Sequence, residues 1–528
     1  MTRAILRNKF YLYLTEFFAG MSVMAVELGA SRLLAPYFSS SQIVWTIIIG
    51  TIMIAMALGN IYGGRSADRD PNPDRLYRRI VVASVWIALI PVVGKYLILG
   101  ISALLIFSVN ANYLIWAAFG ACMLIFVFPL FLLGTVTPSL AKYTMENLEE
   151  NARIVGKLGA ANTVGSIIGT FVPTFVTIPA VGTSVTFLIF AGILLALALI
   201  YFISSRVKST TTVVGIVLFL LSSVLGYRSN FAFWKNNLLY EGESAYNYLQ
   251  VEETDDSIIL STNVLFGVQS ILRKDARLTG MYYDYAMAAP LMAGAEEKLA
   301  DGQNFDLLIL GMGTGTYGSQ CMRYFPAMHI EGVEIDEKIT RLAHTYFEMP
   351  EDLSVCTYDG RAYLNAVTTQ YDVIMVDAYQ DITIPFHMST TEFFGMVKEH
   401  LNPGGVMVVN MNMMTDQEGG INDYLIDTIC SVFPEVVTVT VGNNTNQELF
   451  AGEKSGLAER LAERISQMDE DDPLKYQMET VLKKLVREEG GNYILTDDKA
   501  PVELLGMQAL DNLISSTLES YGGIENLL

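Results

Sequence analysis

The stretch DLLILGMGTGT, residues 306–316, decides the fold of the C-terminal half of this chain. Its apolar first half predicts a buried β-strand, which runs straight into a loop containing Gly311, Gly313, Thr314 and Gly315. Glycines at this spacing allow a tight turn and let a ligand approach the backbone closely. A glycine loop alone identifies a ligand poorly, so its meaning depends on the strands that follow it.

Acidic residues stand at the ends of the next three predicted strands. They are Glu334 followed by Asp336, Asp359 followed by Gly360, and Asp377. The carboxyl ends of parallel strands share one edge of an open sheet, where such folds bind their ligands. An acid after the second strand can accept both hydroxyl hydrogens of a ribose, and one after the third can reach an adenine amino group. The alternative is that each acid only caps the helix after it. The glycine loop and the three acids, however, stand at four successive strand ends, and this series favours a nucleoside site.

Strand-like and helix-like stretches alternate through this part of the chain, which predicts a doubly wound α/β sheet. We assign residues 296–528 to a Rossmann-like domain and residues 236–295 to a small β-rich subdomain before it. The glycine loop lacks a pyrophosphate pattern and GxxxxGK[ST] is absent, so an adenosyl ligand without phosphates is favoured over NAD or ATP. The candidate strands are 306–311, 328–335, 353–359, 371–377, 405–411, 435–441 and 448–453.

The N-terminal part of the chain has the composition of a membrane protein. The whole chain is 52% hydrophobic with a mean hydropathy of +0.36, which is too apolar for an ordinary soluble enzyme. Over residues 1–235, apolar runs recur at about the 20-residue length that a helix needs to cross a bilayer. We therefore predict an α-helical transmembrane domain of about seven helices, near 11–34, 43–63, 80–99, 113–138, 157–178, 183–203 and 211–227.

Loop charges predict the orientation of these helices. Lys and Arg follow the second, fourth and sixth spans and are absent from the loops between them, which places the N-terminus in the cytosol. Seven spans would then put the C-terminal domain outside. An adenosyl ligand made from ATP in the cytosol, and unpaired cysteines, favour a cytosolic domain instead. The last span, 211–227, is short enough to return to the same face, so we favour the cytosolic side and keep the extracytoplasmic one as the alternative.

Net charge separates the two halves of the chain. Residues 1–235 carry +9 and residues 236–528 carry −30, which together give the net charge of −21. The acidic half argues against a nucleic-acid partner, because phosphate backbones need a basic footprint, and it leaves room for a cationic substrate. Histidines and cysteines are scattered without metal-ligand spacing, so we expect no metal.

The chain resembles the spermidine synthase family, and specifically bacterial proteins in which such a domain follows a multi-span membrane region. The resemblance implies a Rossmann-like sheet of the class I methyltransferase type and a bacterial-type cytoplasmic membrane. In the N-terminal half it lies in ELGASRLLAPYF (27–38), ALGNIYGGRSADR (57–69) and GAANTVGSIIGT (159–170). In the C-terminal half it lies in TGMYYDYAMAAPLM (279–292), LGMGTGT (310–316), VEID (333–336), YDGRAYL (358–364), YDVIMVDAY (371–379), IPFHMSTTEFF (384–394) and TDDKAPVE (496–503).

The family transfers an aminopropyl group from decarboxylated S-adenosylmethionine to an amine and releases methylthioadenosine. The resemblance implies that Asp377 is the general base, that Glu334 holds the ribose and that Asp359 holds the adenine. The acceptor is then a small-molecule amine or another small nucleophile, the lipid bilayer is a further partner, and a homodimer is open as the assembly. The remaining candidates are Gly311, Gly313, Thr314, Gly315, Asp336, Gly360, Asn247 and Pro385 on the cofactor side, and Tyr282, Tyr283, Asp284, Gln380, Asp381 and His387 on the substrate side.

Four positions depart from the family pattern. Thr314 stands where the glycine motif has Asp, and Gln380 where a second Asp follows the base. Asn247 replaces a ribose-side Gln, and Tyr283 replaces the His of a Tyr-His-Glu run.

The two lost carboxylates would pair with cationic amines, so a polyamine would bind poorly unless Asp284 or Asp381 substitutes for them. Intact S-adenosylmethionine, whose carboxylate an Asp at position 314 would repel, is a candidate beside the decarboxylated form. Aminopropyl transfer, methyl transfer and internal cleavage of the cofactor all stay open. A transporter or sensor with a nucleoside-binding domain that has no turnover is the alternative of another class.

Overall fold

The structure, a computed structural model, describes residues 5, 8–38, 41–106, 112–144, 151–227, 230–264, 267–275, 278–378, 384–412, 418–442 and 446–520. The chain divides into two units, Met1–Asn236 and Asn237–Leu528. The first unit is helical, and the second combines two β-sheets with helices.

Apolar helices build the N-terminal unit. Large apolar side chains such as Met53 and Val224 are exposed on their outer faces, as expected of helices that are hydrophobic all round. A π-helical turn, Pro173–Thr177, joins two of the helices. The helices are α1 (Lys9–Phe38), α2 (Gln42–Arg69), α3 (Pro73–Ile106), α4 (Tyr113–Ile125), α5 (Val127–Gly134), α6 (Val136–Thr144), α7 (Asn151–Val172), α8 (Ile178–Ser204) and α9 (Thr210–Gly226).

Length and composition make four of the described helical stretches suitable for crossing a membrane, or five if the pair Tyr113–Ile125 and Val127–Thr144, bent by 49°, forms one span. The stretch Ala152–Ser204 counts once among the four, although Gly182, at a φ of 80°, interrupts its helical geometry. Helix α9, with 17 residues, is shorter than these four. The count of about seven spans therefore stays a prediction.

Helices α1 and α7 approach each other closely. A Cβ on Gly165 would lie 1.9 Å from the Phe17 carbonyl oxygen, and one on Gly169 would lie 2.1 Å from that of Met21. Small residues are what allow such an approach between apolar helices. Buried Glu16 on α1 accepts hydrogen bonds from Thr137 Oγ1 (2.6 Å) and Asn162 Nδ2 (2.8 Å).

A small antiparallel sheet opens the C-terminal unit, in the spatial order β1-β2-β3-β4. Helices begin at Tyr282, inside the stretch that the sequence analysis assigned to the β-rich subdomain. The strands are β1 (Leu238–Glu243), β2 (Tyr248–Glu253), β3 (Ser257–Ser261) and β4 (Ser270–Arg273).

A second, eight-stranded sheet forms the centre of the C-terminal unit. Its strands are β5 (Asp306–Leu310), β6 (His329–Glu334), β7 (Ser354–Thr357), β8 (Tyr371–Val376), β9 (Leu401–Met411), β10 (Glu435–Thr440), β11 (Gln447–Gly452) and β12 (Val486–Arg487). The helices of this unit are α10 (Tyr282–Ala286), α11 (Ala288–Met292), α12 (Ala295–Ala300), α13 (Thr316–Tyr324), α14 (Glu337–Tyr346), α15 (Gly360–Ala366), α16 (Thr391–Glu399), α17 (Ile421–Val432), α18 (Leu457–Gln467), α19 (Pro473–Lys484) and α20 (Val502–Ser520).

The strand order of this sheet is β12-β10-β11-β9-β8-β5-β6-β7. Strands β5 to β9 pair in parallel, and β10, β11 and β12 add antiparallel pairings at one side. The predicted Rossmann-like fold is confirmed for this unit, and each of the seven predicted strands of its large sheet is present.

Alternate residues of the central strands enter two separate apolar cores. Ile309 and Met375 pack on one face of the sheet, while Leu310 and Val376 pack on the other. Residues on both faces are buried, as expected where helices cover a parallel sheet on both sides. The edge formed by the carboxyl ends of β5, β6, β7 and β8 is therefore the place where polar side chains can meet a ligand.

Candidate active site

The glycine loop after β5 adopts a backbone that only glycine tolerates well. Gly311, Gly313 and Gly315 have φ values of 90°, 54° and 80°. A Cβ on Gly311 would lie 2.5 Å from the carbonyl oxygen of Asp377, at the end of neighbouring β8. The loop and the predicted base are thus packed directly against each other.

Thr314, in the same loop, is buried. Its backbone N–H donates to Ser270 Oγ (3.2 Å), and its hydroxyl lies 3.4 Å from that of Thr316. The backbone of Thr314 is thus fixed to β4 and its hydroxyl lies near the start of α13. Contact between Thr314 and a cofactor stays a prediction.

Glu334, at the end of β6, turns its carboxylate toward the glycine loop. Its two oxygens accept hydrogen bonds from the backbone N–H groups of Gly313 (2.9 Å) and Asp336 (3.0 Å). Burial raises the pKa of Glu334 to about 7, although both N–H donors act in the opposite direction. A carboxyl placed here can accept hydrogen bonds from hydroxyl groups of a ligand.

Asp336 connects the large sheet to the small one. It caps α14 by accepting from the backbone N–H of Lys338 (3.1 Å), and its other oxygen accepts from Ser244 Oγ and from Asn247 Nδ2 (3.1 Å). Asn247 and Asp336 were both predicted on the cofactor side, and the structure brings them together. Contact with a cofactor stays a prediction for both residues.

Asp359 caps the helix that follows it. Helix capping is the alternative role that the sequence left open for each acid at a strand end. Its Oδ1 accepts from the backbone N–H of Ala362 (2.8 Å), at the start of α15, which begins at Gly360. Its Oδ2 lies 3.1 Å from His387 Nε2, in the turn that follows Pro385. The structure thus pairs His387, predicted on the amine side, with the acid predicted on the adenine side.

Asp377 is held from two directions. Its Oδ2 accepts from the hydroxyl of Tyr282 (2.7 Å), and its Oδ1 accepts from Asn410 Nδ2 (2.9 Å). Asn410 is itself oriented by Asn446, whose Nδ2 donates to Asn410 Oδ1 (2.9 Å). The pKa of Asp377 is raised to about 7, mainly by desolvation and in part by the negative charge of Glu334, against the two hydrogen-bond donors. A carboxyl with such a pKa is suited to general-base work near neutral pH.

The substrate-side candidates occupy different environments. Tyr283 packs on Tyr282, with ring centroids 4.0 Å apart, and donates its hydroxyl to the Gln269 carbonyl (2.9 Å). Gln380 and Asp381 lie outside the described residues.

Asp284, another substrate-side candidate, is buried among protein donors. Its side chain is 2% exposed and accepts hydrogen bonds from Thr279 N and Oγ1, Gly280 N and Gln320 Nε2. These four donors fix the carboxylate to the loop before α10 and to α13, and a contact between Asp284 and an amine stays a prediction.

Two residues of the site were missed by the sequence analysis. Asn410, on β9, is the amide that holds Asp377. Glu448, on β11, is a fully buried acid within electrostatic reach of Asp377. The one signal for Glu448 is its acidic side chain inside the otherwise apolar ELFAG run of a predicted strand. Over the described ranges, no three His, Cys, Asp or Glu side chains are grouped as metal ligands would be.

Comparison with known proteins identifies the family. Residues 292–443 match the family model of the spermine/spermidine synthase domain. A probable polyamine aminopropyl transferase of Bifidobacterium longum is 54% identical over 342 residues, which cover 62% of this chain and 75% of that protein. A polyamine aminopropyltransferase of Vibrio vulnificus is 29% identical over 214 residues, which cover 39% of this chain and 69% of that protein.

Solved structures match the C-terminal part of the chain as well. A probable spermidine synthase from Corynebacterium glutamicum is 19% identical, with a TM-score of 0.36, and the match covers 48% of this chain and 97% of that one. A spermidine synthase in complex with the transition-state analogue AdoDATO is 18% identical, with a TM-score of 0.38, and the match covers 47% of this chain and 83% of that one. On the strength of the 54% identical relative, this chain belongs to the spermidine synthase family of polyamine aminopropyltransferases and is a transferase.

Proposed function

We propose that the C-terminal unit transfers the aminopropyl group of decarboxylated S-adenosylmethionine to a small amine, with Asp377 as the general base. The observation that carries this proposal is the setting of Asp377. Its two oxygens are fixed by Tyr282 and Asn410, its pKa is raised to about 7, and it adjoins the glycine loop of a nucleoside-type site.

The chemical step needs little from the protein beyond alignment and a proton acceptor. The amine nitrogen forms a bond to the propyl carbon next to the sulfonium, and the carbon–sulfur bond breaks with its electron pair going to sulfur. Methylthioadenosine leaves as a neutral thioether. Asp377 takes the proton that the nitrogen loses, and Tyr282 and Asn410 keep its carboxylate oriented toward that nitrogen.

Glu334 and the glycine loop are the groups suited to the nucleoside. The loop has positive φ values at Gly311, Gly313 and Gly315, which leave its backbone open to close approach. Glu334 accepts a backbone hydrogen bond on each oxygen. A carboxylate has about four lone-pair sites, so it can also accept from ribose hydroxyl groups. Asp359 is suited to the adenine side, next to His387.

The second candidate uses intact S-adenosylmethionine, for methyl transfer or internal cleavage. It is favoured by one observation, the replacement of an acid by Thr314 in the glycine loop. The two candidates leave different products. We would incubate the purified full-length protein with each cofactor, with and without putrescine, and identify the products. Aminopropyl transfer yields methylthioadenosine only with the decarboxylated cofactor and amine together; S-adenosylhomocysteine from the intact cofactor would indicate methyl transfer, and cleavage products without an acceptor would indicate internal cleavage.

We further propose that the N-terminal unit anchors the enzyme in a bacterial-type cytoplasmic membrane, with both its N-terminus and the catalytic unit in the cytosol. Support comes from the apolar length of helices such as Lys9–Phe38 and Gln42–Arg69, and from apolar side chains exposed on α2 and α9. Alkaline phosphatase and a green fluorescent protein would be fused in turn to the C-terminus of the full chain. A fluorescent fusion without phosphatase activity is expected, and the reverse result would place the catalytic unit outside the cell.

A further inference from the structure

Glu448 lies on the same side of the sheet as the proposed base. In the antiparallel pair β9–β11, Glu448 is directly opposite Asn410. Directly opposite residues of such a pair project to the same face of the sheet. The Asn410 amide on that face reaches Asp377 at 2.9 Å. Phe450, two residues further along β11, enters the apolar core that contains Tyr282, which confirms the face to which Glu448 belongs.

The Glu448 carboxyl is buried without a partner. Its relative exposure is 0%, and over the residues that the structure describes neither carboxyl oxygen forms a hydrogen bond. Buried polar groups nearly always have partners, because an unsatisfied one opposes folding. Because Glu448 is buried near Asp377 without a hydrogen-bond partner among the described residues, a role in the function of the site would explain its presence there.

Charge around Glu448 is unbalanced. In the described part of the chain, neither Glu448 nor Asp377 pairs with Lys, Arg or His. Burial, and the negative charge of Asp377, raise the pKa of Glu448. The other titratable groups that act on the pair are Glu334, Tyr282, Tyr283 and Tyr317, and none of these is cationic. The site can therefore accept positive charge from outside the protein.

We propose that Glu448 is a second carboxylate of the acceptor site, and that it pairs with an ammonium group of a diamine or polyamine bound beside Asp377. This inference rests on the proposed function and names a residue that selects its acceptor. An ammonium favours the ionised form of both acids, so binding of the amine releases protons from the site.

The variant Glu448→Gln tests this directly, because it keeps the shape of the side chain and removes its charge. Glu435→Gln is the matched control: Glu435 is also a buried acid, on neighbouring β10, and it accepts a hydrogen bond from Leu457 N away from the site. We expect Glu448→Gln to raise the KM for putrescine at least tenfold and to leave the Kd for methylthioadenosine within twofold. The control should change neither value.

Calorimetric titration of putrescine into the protein–methylthioadenosine complex gives a readout independent of turnover. In buffers of different ionisation enthalpy, the wild type should release more protons per bound amine than Glu448→Gln. A purely structural Glu448 predicts instead a lower melting temperature and equal loss of nucleoside and amine binding. Glu448→Asp, which restores a carboxylate, should recover part of the amine affinity and covers the case in which Glu448→Gln folds poorly.

The outcomes separate this inference from the proposed function. If the wild type makes methylthioadenosine with putrescine and Glu448→Gln does so with an unchanged KM, the role of Glu448 is overturned and the function stands. If the wild type neither binds putrescine nor turns over with it, both are overturned.

Discussion

The hydroxyl of Tyr282 donates a 2.7 Å hydrogen bond to Oδ2 of Asp377, and so joins helix α10 to the end of strand β8. Tyr282 precedes the large sheet in the sequence, and Asp377 follows its fourth strand. The bond stabilises the ionised carboxylate and lowers its pKa, against the larger effect of desolvation. The hydrogen bond from Tyr282 is therefore one of the interactions that determine the pH at which the base becomes available.

The Tyr282→Phe variant should move the pH profile to higher pH. A base is active when it is ionised, so kcat/KM of the wild type should rise through pH 7, the approximate pKa of Asp377. The Tyr282 hydroxyl lowers the pKa of Asp377, so its removal raises that pKa. The rise of kcat/KM with pH then occurs at higher pH. Tyr363→Phe is the control, because that hydroxyl donates to Glu331 and not to Asp377. If kcat/KM of Tyr282→Phe rises at the same pH as that of the wild type, the result would argue against Asp377 as the base.

Glu334→Ala should weaken binding of methylthioadenosine. Loss of a charged acceptor typically costs about 1.5–3 kcal/mol, which corresponds to a roughly 10–150-fold higher Kd. Calorimetry measures this directly, and exposed Glu337→Gln on neighbouring α14 serves as the control that should bind normally. If Glu334→Ala binds methylthioadenosine with wild-type affinity, Glu334 does not bind the nucleoside.

Gly311→Ala should damage both stability and binding. The backbone at Gly311 has a φ of 90°, and the added Cβ would lie 2.5 Å from the Asp377 carbonyl. Strain of this kind costs about 1–3 kcal/mol, so the melting temperature should fall. Gly395→Ala provides the comparison, since α16 leaves open space there and alanine favours the helix. Equal melting temperatures for the two variants would contradict the described packing of the loop on β8.

The replacement of acids by Thr314 and Gln380 predicts that intact S-adenosylmethionine binds at least as tightly as the decarboxylated form. Competition against bound methylthioadenosine measures the ratio of the two affinities. A tenfold or greater preference for the decarboxylated form, about 1.4 kcal/mol, would show that other acids replace the missing ones. The affinities also bear on the choice between the two proposed reactions.

Seven of the eight described strands of the large sheet could be predicted, because they are short runs rich in apolar residues between turn residues. The two-residue strand Val486–Arg487 is too short to give such a pattern, and it was not predicted. The ends of those strands supplied most of the candidate site for the same reason. Gly311 and Asp377 directly follow their strands, Glu334 is the last residue of its strand, and Asp359 lies two residues after the end of its strand. The local sequence pattern is sufficient to find a site residue wherever that residue lies at the end of a strand or in the loop directly after it.

Contacts that depend on tertiary register could not be predicted in this way. Asn410 reaches Asp377, and Glu448 joins them, only because β9 and β11 pair antiparallel in one particular register. Asp284 looked like a free acid because its four donors come from a loop and from α13. The number of membrane spans depends on how breaks such as Gly182 divide a continuous apolar stretch, which hydropathy alone does not determine.

The central claim, that Asp377 is the base of an aminopropyl transfer, is tested by one comparison of the full-length wild type with Asp377→Asn. Both proteins would be supplied with decarboxylated S-adenosylmethionine and putrescine, and methylthioadenosine and spermidine would be quantified together. We expect the wild type to form the two products in equal amounts, and Asp377→Asn to bind methylthioadenosine normally with kcat lower by about 10²–10⁴. A wild type that forms neither product, or an Asp377→Asn variant with undiminished kcat, would contradict the account.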